Sequence, residues 1–162
     1  MVLKDEVERL RLVPLFGNVA AAKLKLLAFT SQRLSFREGH ILFHQGDPGD
    51  AAYVVLSGTA DVLVGSDSGE IKVASVGPNS IIGEIAILCD VNRTATVRAS
   101  APLEVLRIDK DHFLALLAEF PEVAVEIIRV LANRLSQTTT ELSEARSAMM
   151  QLSNKHKPQS LN

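Results

Sequence analysis

The sequence predicts an α+β fold, a roll or closed barrel of short strands set between helical segments at both ends of the chain. Two observations carry this reading. Apart from Gly17, every glycine (Gly39, Gly46, Gly49, Gly58, Gly65, Gly69, Gly77 and Gly83) falls between 39 and 83. Short β-rich runs such as AYVVL, DVLV and IKVASV lie between these glycines, the pattern of short strands joined by tight turns. The flanking segments instead space their apolar residues at helical intervals. With 162 residues, 47% of them hydrophobic, the chain is expected to form a single domain, 1–162, with a buried core.

Each segment has its own signal. In the N-terminal helical part, 1–30, Asn18 is placed to cap a helix through VAAAKLKLLAF that gathers Leu24, Leu27 and Ala28 on one face. The β region follows over 31–108, with GDPGD (46–50) and GSDSGE (65–70) as turn chemistry and TATVRASAPLEVLRI (94–108) broken at Pro102. Helices take up 109–154. DKDHFLALLAEF (109–120) spaces Phe113, Leu116, Leu117 and Phe120 for a helix, and Pro121 suits the first turn of another.

From Ile128 the apolar positions run Leu131, Leu135, Thr138, Leu142, Ala145, Met149 and Leu152, alternating steps of three and four. This 3.5-residue repeat marks a coiled-coil seam, weakened at Thr138 and Ala145. A helix of roughly 30 residues extends about 45 Å. That overshoots a small barrel, so the expectation is a parallel homodimer through this helix. A loose tail is expected over 155–162.

Composition narrows the function classes. The formal net charge is −2, from 17 basic and 19 acidic residues, which supplies no concentrated positive field for nucleic acid. There is no Trp, one Tyr and six Phe, hence no aromatic platform for unstacked bases. Lys155, His156 and Lys157 read as a solvated end. Cys89 is the only cysteine. It excludes an intrachain disulfide and a four-thiolate cluster, and it suits a reducing, cytoplasmic setting. MVLKDEVERL lacks the character of a signal peptide, and no apolar run approaches the ~20 residues that span a bilayer. His40, His44, His112 and His156 have no ligand-like spacing, so neither a metal nor a bond-breaking site is expected.

The segment IIGEIAILCDVNRTATV (81–97) sets Glu84 and Arg93 nine positions apart in an otherwise apolar and small-residue run. Buried charges are costly unless paired or holding a ligand. A short helix beginning at Gly83 offers free backbone N–H groups to an anion, and Ala86 keeps the approach open. Arg93 can add a planar fork suited to phosphate oxygens. Glu84 accepts hydrogen bonds only, so its partner must be a donor such as a sugar hydroxyl. Together these are the demands of a nucleotide. The bare spacing fits a buried Glu84–Arg93 salt bridge equally well.

Gly83-Glu84-Ile85-Ala86-Ile87-Leu88 followed by Arg93-Thr94-Ala95-Thr96-Val97 resembles the phosphate-binding cassette of the cyclic nucleotide-binding domain family. REGHILFHQGDPGDAAYVVLSGTADV resembles that family's strand–glycine–strand framework, with Gly39, Gly46, Tyr53 and Gly58 in register, and VPLF (13–16) resembles its N-terminal helical part. FPEVAVEIIRVLANRLSQTTTEL resembles the dimer-helix region of catabolite activator-like bacterial regulators.

The resemblance implies an antiparallel, jelly-roll-like β-roll of about eight strands, with the cassette at 83–97. It implies that Glu84 accepts the ribose 2′-hydroxyl, that Arg93 pairs with the cyclic phosphate, and that N–H groups around Ile85 and Ala86 complete the cradle. Gly83 would allow the turn, and Thr94 would lie beside phosphate and base. Thr138 and Thr139 fall where some relatives reach the adenine from the dimer helix. Asn92 and Asn79 depart from the pattern, standing where proline and glycine are common.

The expectation is therefore a non-enzymatic cyclic nucleotide sensor, cAMP ahead of cGMP, without resident cofactor, metal, membrane or nucleic-acid partner and without a DNA-binding module. Its rival is the same fold with a vacant pocket, acting as a coiled-coil interaction protein.

Overall fold

A computed structural model describes residues 2–156, which divide into two compact units, one running to Val123 and the other beginning at Ala124. The first unit opens with helix α1 (Val2–Leu12), a 3-10 turn (Pro14–Phe16) and helix α2 (Ala21–Thr30). Five strands follow: β1 (Gln32–Phe36), β2 (Ile41–Phe43), β3 (Ala51–Ser57), β4 (Ala60–Ser66) and β5 (Gly69–Val76). Next come β6 (Ile81–Ile82), the short helix α3 (Glu84–Leu88), β7 (Thr96–Ala99), β8 (Leu103–Asp109) and α4 (Lys110–Glu119). A last helix, α5 (Pro121–Lys155), begins in the first unit and provides the helix of the second.

The eight strands form two four-stranded sheets with every pairing antiparallel, ordered β1-β8-β3-β6 and β2-β7-β4-β5. This is the expected β-roll. Its interior is lined by Ala51, Tyr53, Val55, Ala60, Ile82, Val97, Ala99, Leu103 and Val105. β3 alternates these with Ala52 and Val54, which are also buried. The α2 helix lies against β8, and α4 lies against both β3 and β8. A strand covered on both faces needs a continuous apolar run, and AAYVV supplies one. β5 has the opposite character, exposed along nearly its whole length at the edge of its sheet.

Local chemistry refines several boundaries. Asn18 does not cap α2: that helix begins at Ala21, with Ala20 at its N-cap and no side-chain cap. Val19 is buried and bonds to the Phe16 carbonyl, so the preceding turn, not the cap preference of Asn18, sets where the helix starts. Only Asp67 and Ser68 separate β4 from β5, a tighter hairpin than GSDSGE suggested. Phe120 ends α4 as its C-cap, and Lys155 still belongs to α5. Residues 157–162 of the expected tail lie outside the described residues. Asn79 sits at φ +69°, which explains a glycine preference at that turn. No helix among the described residues is long and apolar enough to cross a membrane.

In the second unit, the seam residues Ile128, Leu135, Leu142, Met149 and Leu152 are all exposed, Leu135 at 68% and Met149 at 70%.

A charge cluster ties α1 to the sheet. The Glu104 carboxylate on β8 accepts from Arg33 Nη2 at 3.0 Å and from Arg9 Nη1 and Ser57 Oγ at 3.4 Å. The hydrogen bond from Arg33, and then its charge and Arg9, hold this carboxyl below the usual carboxylate range. A carboxyl whose pKa falls on folding stabilises the fold above its unfolded value and loses that contribution as pH drops through the folded one. Glu104→Gln should therefore be less stable than the parent at neutral pH, by under about 1 kcal/mol for a partly exposed pair. Urea melts should show the difference shrinking as pH drops below about 4 and vanishing once it has passed below the folded pKa.

Candidate functional site

The cassette grows from the shortest strand. β6 pairs Ile82 with Tyr53 and Ile81 with Val54, and the chain then turns through Gly83 at φ +82° into α3. A Cβ at Gly83 would lie 2.5 Å from Arg93 Nη1 and 3.3 Å from the Ala51 carbonyl oxygen, so only glycine allows the turn with the arginine in place. Glu84 and Ala86 face inward and are buried, while Ile85 faces out. The helix closes through Cys89 N–H to the Ile85 carbonyl and Val91 N–H to the Ala86 carbonyl. No side chain caps the start of α3.

Loop 46–50 holds the other half. Arg93 N–H donates to the Asp47 carbonyl at 2.7 Å, and Gly46 N–H donates to the Arg93 carbonyl at 2.8 Å. Gln45 N–H donates to Thr96 Oγ1 at 2.9 Å. Gly49 faces the cassette so closely that a Cβ there would lie 2.4 Å from the Ala86 Cβ.

The Arg93 guanidinium lies within the protein, at 3% exposure for the residue. Nη2 donates to the Ala51 carbonyl at 2.6 Å and Nη1 to the Gly83 carbonyl at 2.8 Å. Asp50 Oδ1 stands 3.3 Å from Nη2. The planar group lies over the Phe43 ring, 4.1 Å from its centroid, and 5.9 Å from that of Tyr53. Among the described residues its Nε has no hydrogen-bond partner, and it is buried. An orphaned donor of this kind costs about 1–3 kcal/mol. Glu84 is buried at 2% exposure and is partnered.

Gly83, Glu84, Ile85, Ala86, Arg93 and Thr94 thus share one corner of the first unit, with Thr94 exposed on the loop just before β7. Thr138 and Thr139 lie exposed on α5, in the second unit. Asp50, Phe43, Gly49 and Thr96 were not anticipated as members of the site. GDPGD reads as turn and framework chemistry, and its acidic end does more than turn the chain. Asp50 also accepts from Arg107 Nη2 at 3.1 Å. The β3–β8 register explains this proximity, since Ala51 stands opposite Asp109 and Tyr53 opposite Arg107.

Three substitutions separate framework from surface at this site. Gly49→Ala forces a methyl group onto Ala86 and should cost about 1–3 kcal/mol. Thr96→Val removes the acceptor for Gln45 N–H and should cost about 1 kcal/mol or somewhat more. Thr94→Ala, at an exposed position, should leave the denaturation midpoint within error of the parent.

Comparison with known proteins bears on this geometry. Residues 33–120 match the family model for the cyclic nucleotide-binding domain. A Mycobacterium tuberculosis protein (strain CDC 1551 / Oshkosh) named CRP-like cAMP-activated global transcriptional regulator is 28% identical over 131 residues, 80% of this chain and 58% of that protein. The cyclic AMP receptor protein of Thermus thermophilus is 32% identical over 130 residues, 80% of this chain and 60% of its own. The present chain therefore spans less than two thirds of these curated relatives. The crystal structure of the Thermus thermophilus catabolite activator protein superposes with a TM-score of 0.72 at 32% identity, covering 82% of this chain and 63% of that one. A cyclic nucleotide-binding-like protein from Brucella abortus gives 0.60 at 34% identity, covering 70% and 98%. The β-roll, the turn at Gly83 and the buried Arg93 belong to a chain that is a member of the cyclic nucleotide-binding domain family.

Proposed function

We propose that this chain is a non-catalytic receptor domain for a cyclic nucleotide, cAMP ahead of cGMP. The observation that carries the proposal is the buried Arg93 guanidinium with its orphaned Nε. It bonds the carbonyl of Gly83 at the N-cap of α3, a helix with no side-chain cap whose first residue is the buried carboxylate Glu84. A phosphodiester offers acceptors to guanidinium and amide donors, and a ribose hydroxyl offers a donor to Glu84. In this reading Arg93 and the N–H groups of Ile85 and Ala86 take the phosphate, Glu84 takes the 2′-hydroxyl, and Thr94 flanks the base. The preference for cAMP rests on the names borne by the mycobacterial and Thermus relatives and on Thr138 and Thr139, whose hydroxyls suit a purine edge. The site's function is capture and release of a ligand, with no bond broken.

Output would pass through α5. A row of exposed Leu and Met at 3.5-residue spacing is unfavourable in water and is satisfied by a second copy in parallel register. A polar Thr138 in that row fixes register. The domain carries its signal in the helix pair.

Calorimetry with cAMP and cGMP tests the binding reading. Glu84→Gln and Arg93→Lys should each weaken binding at least about tenfold, the cost of truncating a buried charge contact. Both keep a polar group on the acceptors and donors that hold the native side chain, so folding should persist. Equal affinity in all three proteins would reject the assignment. No binding by the parent would favour the interaction-protein reading. For the seam, Leu135→Glu combined with Leu142→Glu should convert a dimer into a monomer by light scattering. A dimer that survives both changes would exclude α5 as the interface.

A further inference from the structure

We propose that Arg107 is a positioning residue for the ligand site, acting through Asp50. This rests on the nucleotide-binding reading of Arg93 and extends it. Asp50 is one carboxylate shared by two guanidiniums, with Oδ1 3.3 Å from Arg93 Nη2 and Oδ2 3.1 Å from Arg107 Nη2. The three groups differ sharply in setting. The Arg93 side chain is sealed from solvent, that of Arg107 is about a quarter exposed, and that of Asp50 is 65% exposed.

The carboxylate reaches inward from the surface and places an anionic oxygen on the arginine that would receive a phosphate. Asp50 is therefore a stand-in anion. A phosphate arriving at Arg93 meets it twice, as a competitor for Nη2 and as a like charge. That repulsion is bearable only if another cation takes the carboxylate over.

Arg107 is built for this. Its Nη1 lies 3.6 Å from Asp109 Oδ1, so the side chain is held at its far end by the next carboxylate along β8. The main chain of Asp50 is fixed as well, because its carbonyl accepts Lys110 N–H at 3.0 Å. Asp50 can release Arg93 by a side-chain rotation while keeping the bond from Arg107. Without Arg107 the carboxylate has one cation left, Arg93, and holds it against the ligand.

A double-mutant cycle read by calorimetry with cAMP tests this. Arg107→Gln should weaken binding about three- to tenfold, a range typical of a partly screened charge next to a ligand. Asp50→Asn should tighten it by about threefold or more, since the competing charge is gone. The double variant should bind like Asp50→Asn alone, within about twofold, because Arg107 then has no carboxylate at position 50 to draw away from Arg93. Arg107→Lys should recover most of the parent affinity, and raising the salt concentration should shrink the Arg107→Gln effect.

A purely structural role for Arg107 would give the same loss in both Asp50 backgrounds, and that result overturns the proposal. Unchanged affinity in Arg107→Gln also overturns it, as does unchanged or weaker affinity in Asp50→Asn. The Asp50→Asn measurement stands by itself should Arg107→Gln prove unstable. A parent protein that binds neither cAMP nor cGMP fails the nucleotide reading and this one together. A parent that binds without coupling between the two positions fails this one alone.

Discussion

A guanidinium taken out of water must find acceptors, and much of this domain is arranged around the one on Arg93. Its partners come from two separate stretches of chain: the Asp50 carboxylate and Ala51 carbonyl where a loop enters β3, and the Gly83 carbonyl before α3. Each dictates a local feature. Gly83 must lack a side chain to leave room for Nη1. The 46–50 loop must close against the cassette, which the paired backbone bonds at Gly46 and Asp47 accomplish. Phe43 must offer a ring face rather than a bulky aliphatic group, and the 4.1 Å contact adds attraction between cation and ring. The strands of the roll bring these pieces together, and the charge fixes how tightly they fit.

The same arithmetic applies at the other charged cluster, with a different outcome. Glu104 gathers Arg9, Arg33 and Ser57, but its side chain and those of both arginines keep about a third of their surface in water. Water shares the work there, so the cluster ties α1 to the sheet without demanding special backbone. Around Arg93 water has little access, and every acceptor must come from the protein or from a guest. Burial is the difference between a tether and a site.

Much of this was legible in the sequence. Glycine spacing located the strands, the 3.5-residue repeat located the long helix, and Pro121 marked its start. The inward-facing members of GEIAIL and Arg93 were legible because charge in an apolar run demands an explanation. Asp50 was not, since an acid beside glycine and proline is ordinary turn composition; its importance comes from a β3–β8 register that only pairing reveals. Phe43 was hidden for a related reason: a ring in a short strand looks like core, and here it is also the floor beneath a cation. The start of α2 escaped because a good capping residue lost to the burial of Val19.

The backbone bonds on either side of Arg93 carry one more consequence. With its N–H and its carbonyl both tied to loop 46–47, the residue's α-carbon is a fixed pivot. Any exchange of partners at the tip is then a matter of side-chain torsions, which turn over in picoseconds to nanoseconds where space permits. The recognition element can change hands without the main chain at Arg93 being rebuilt.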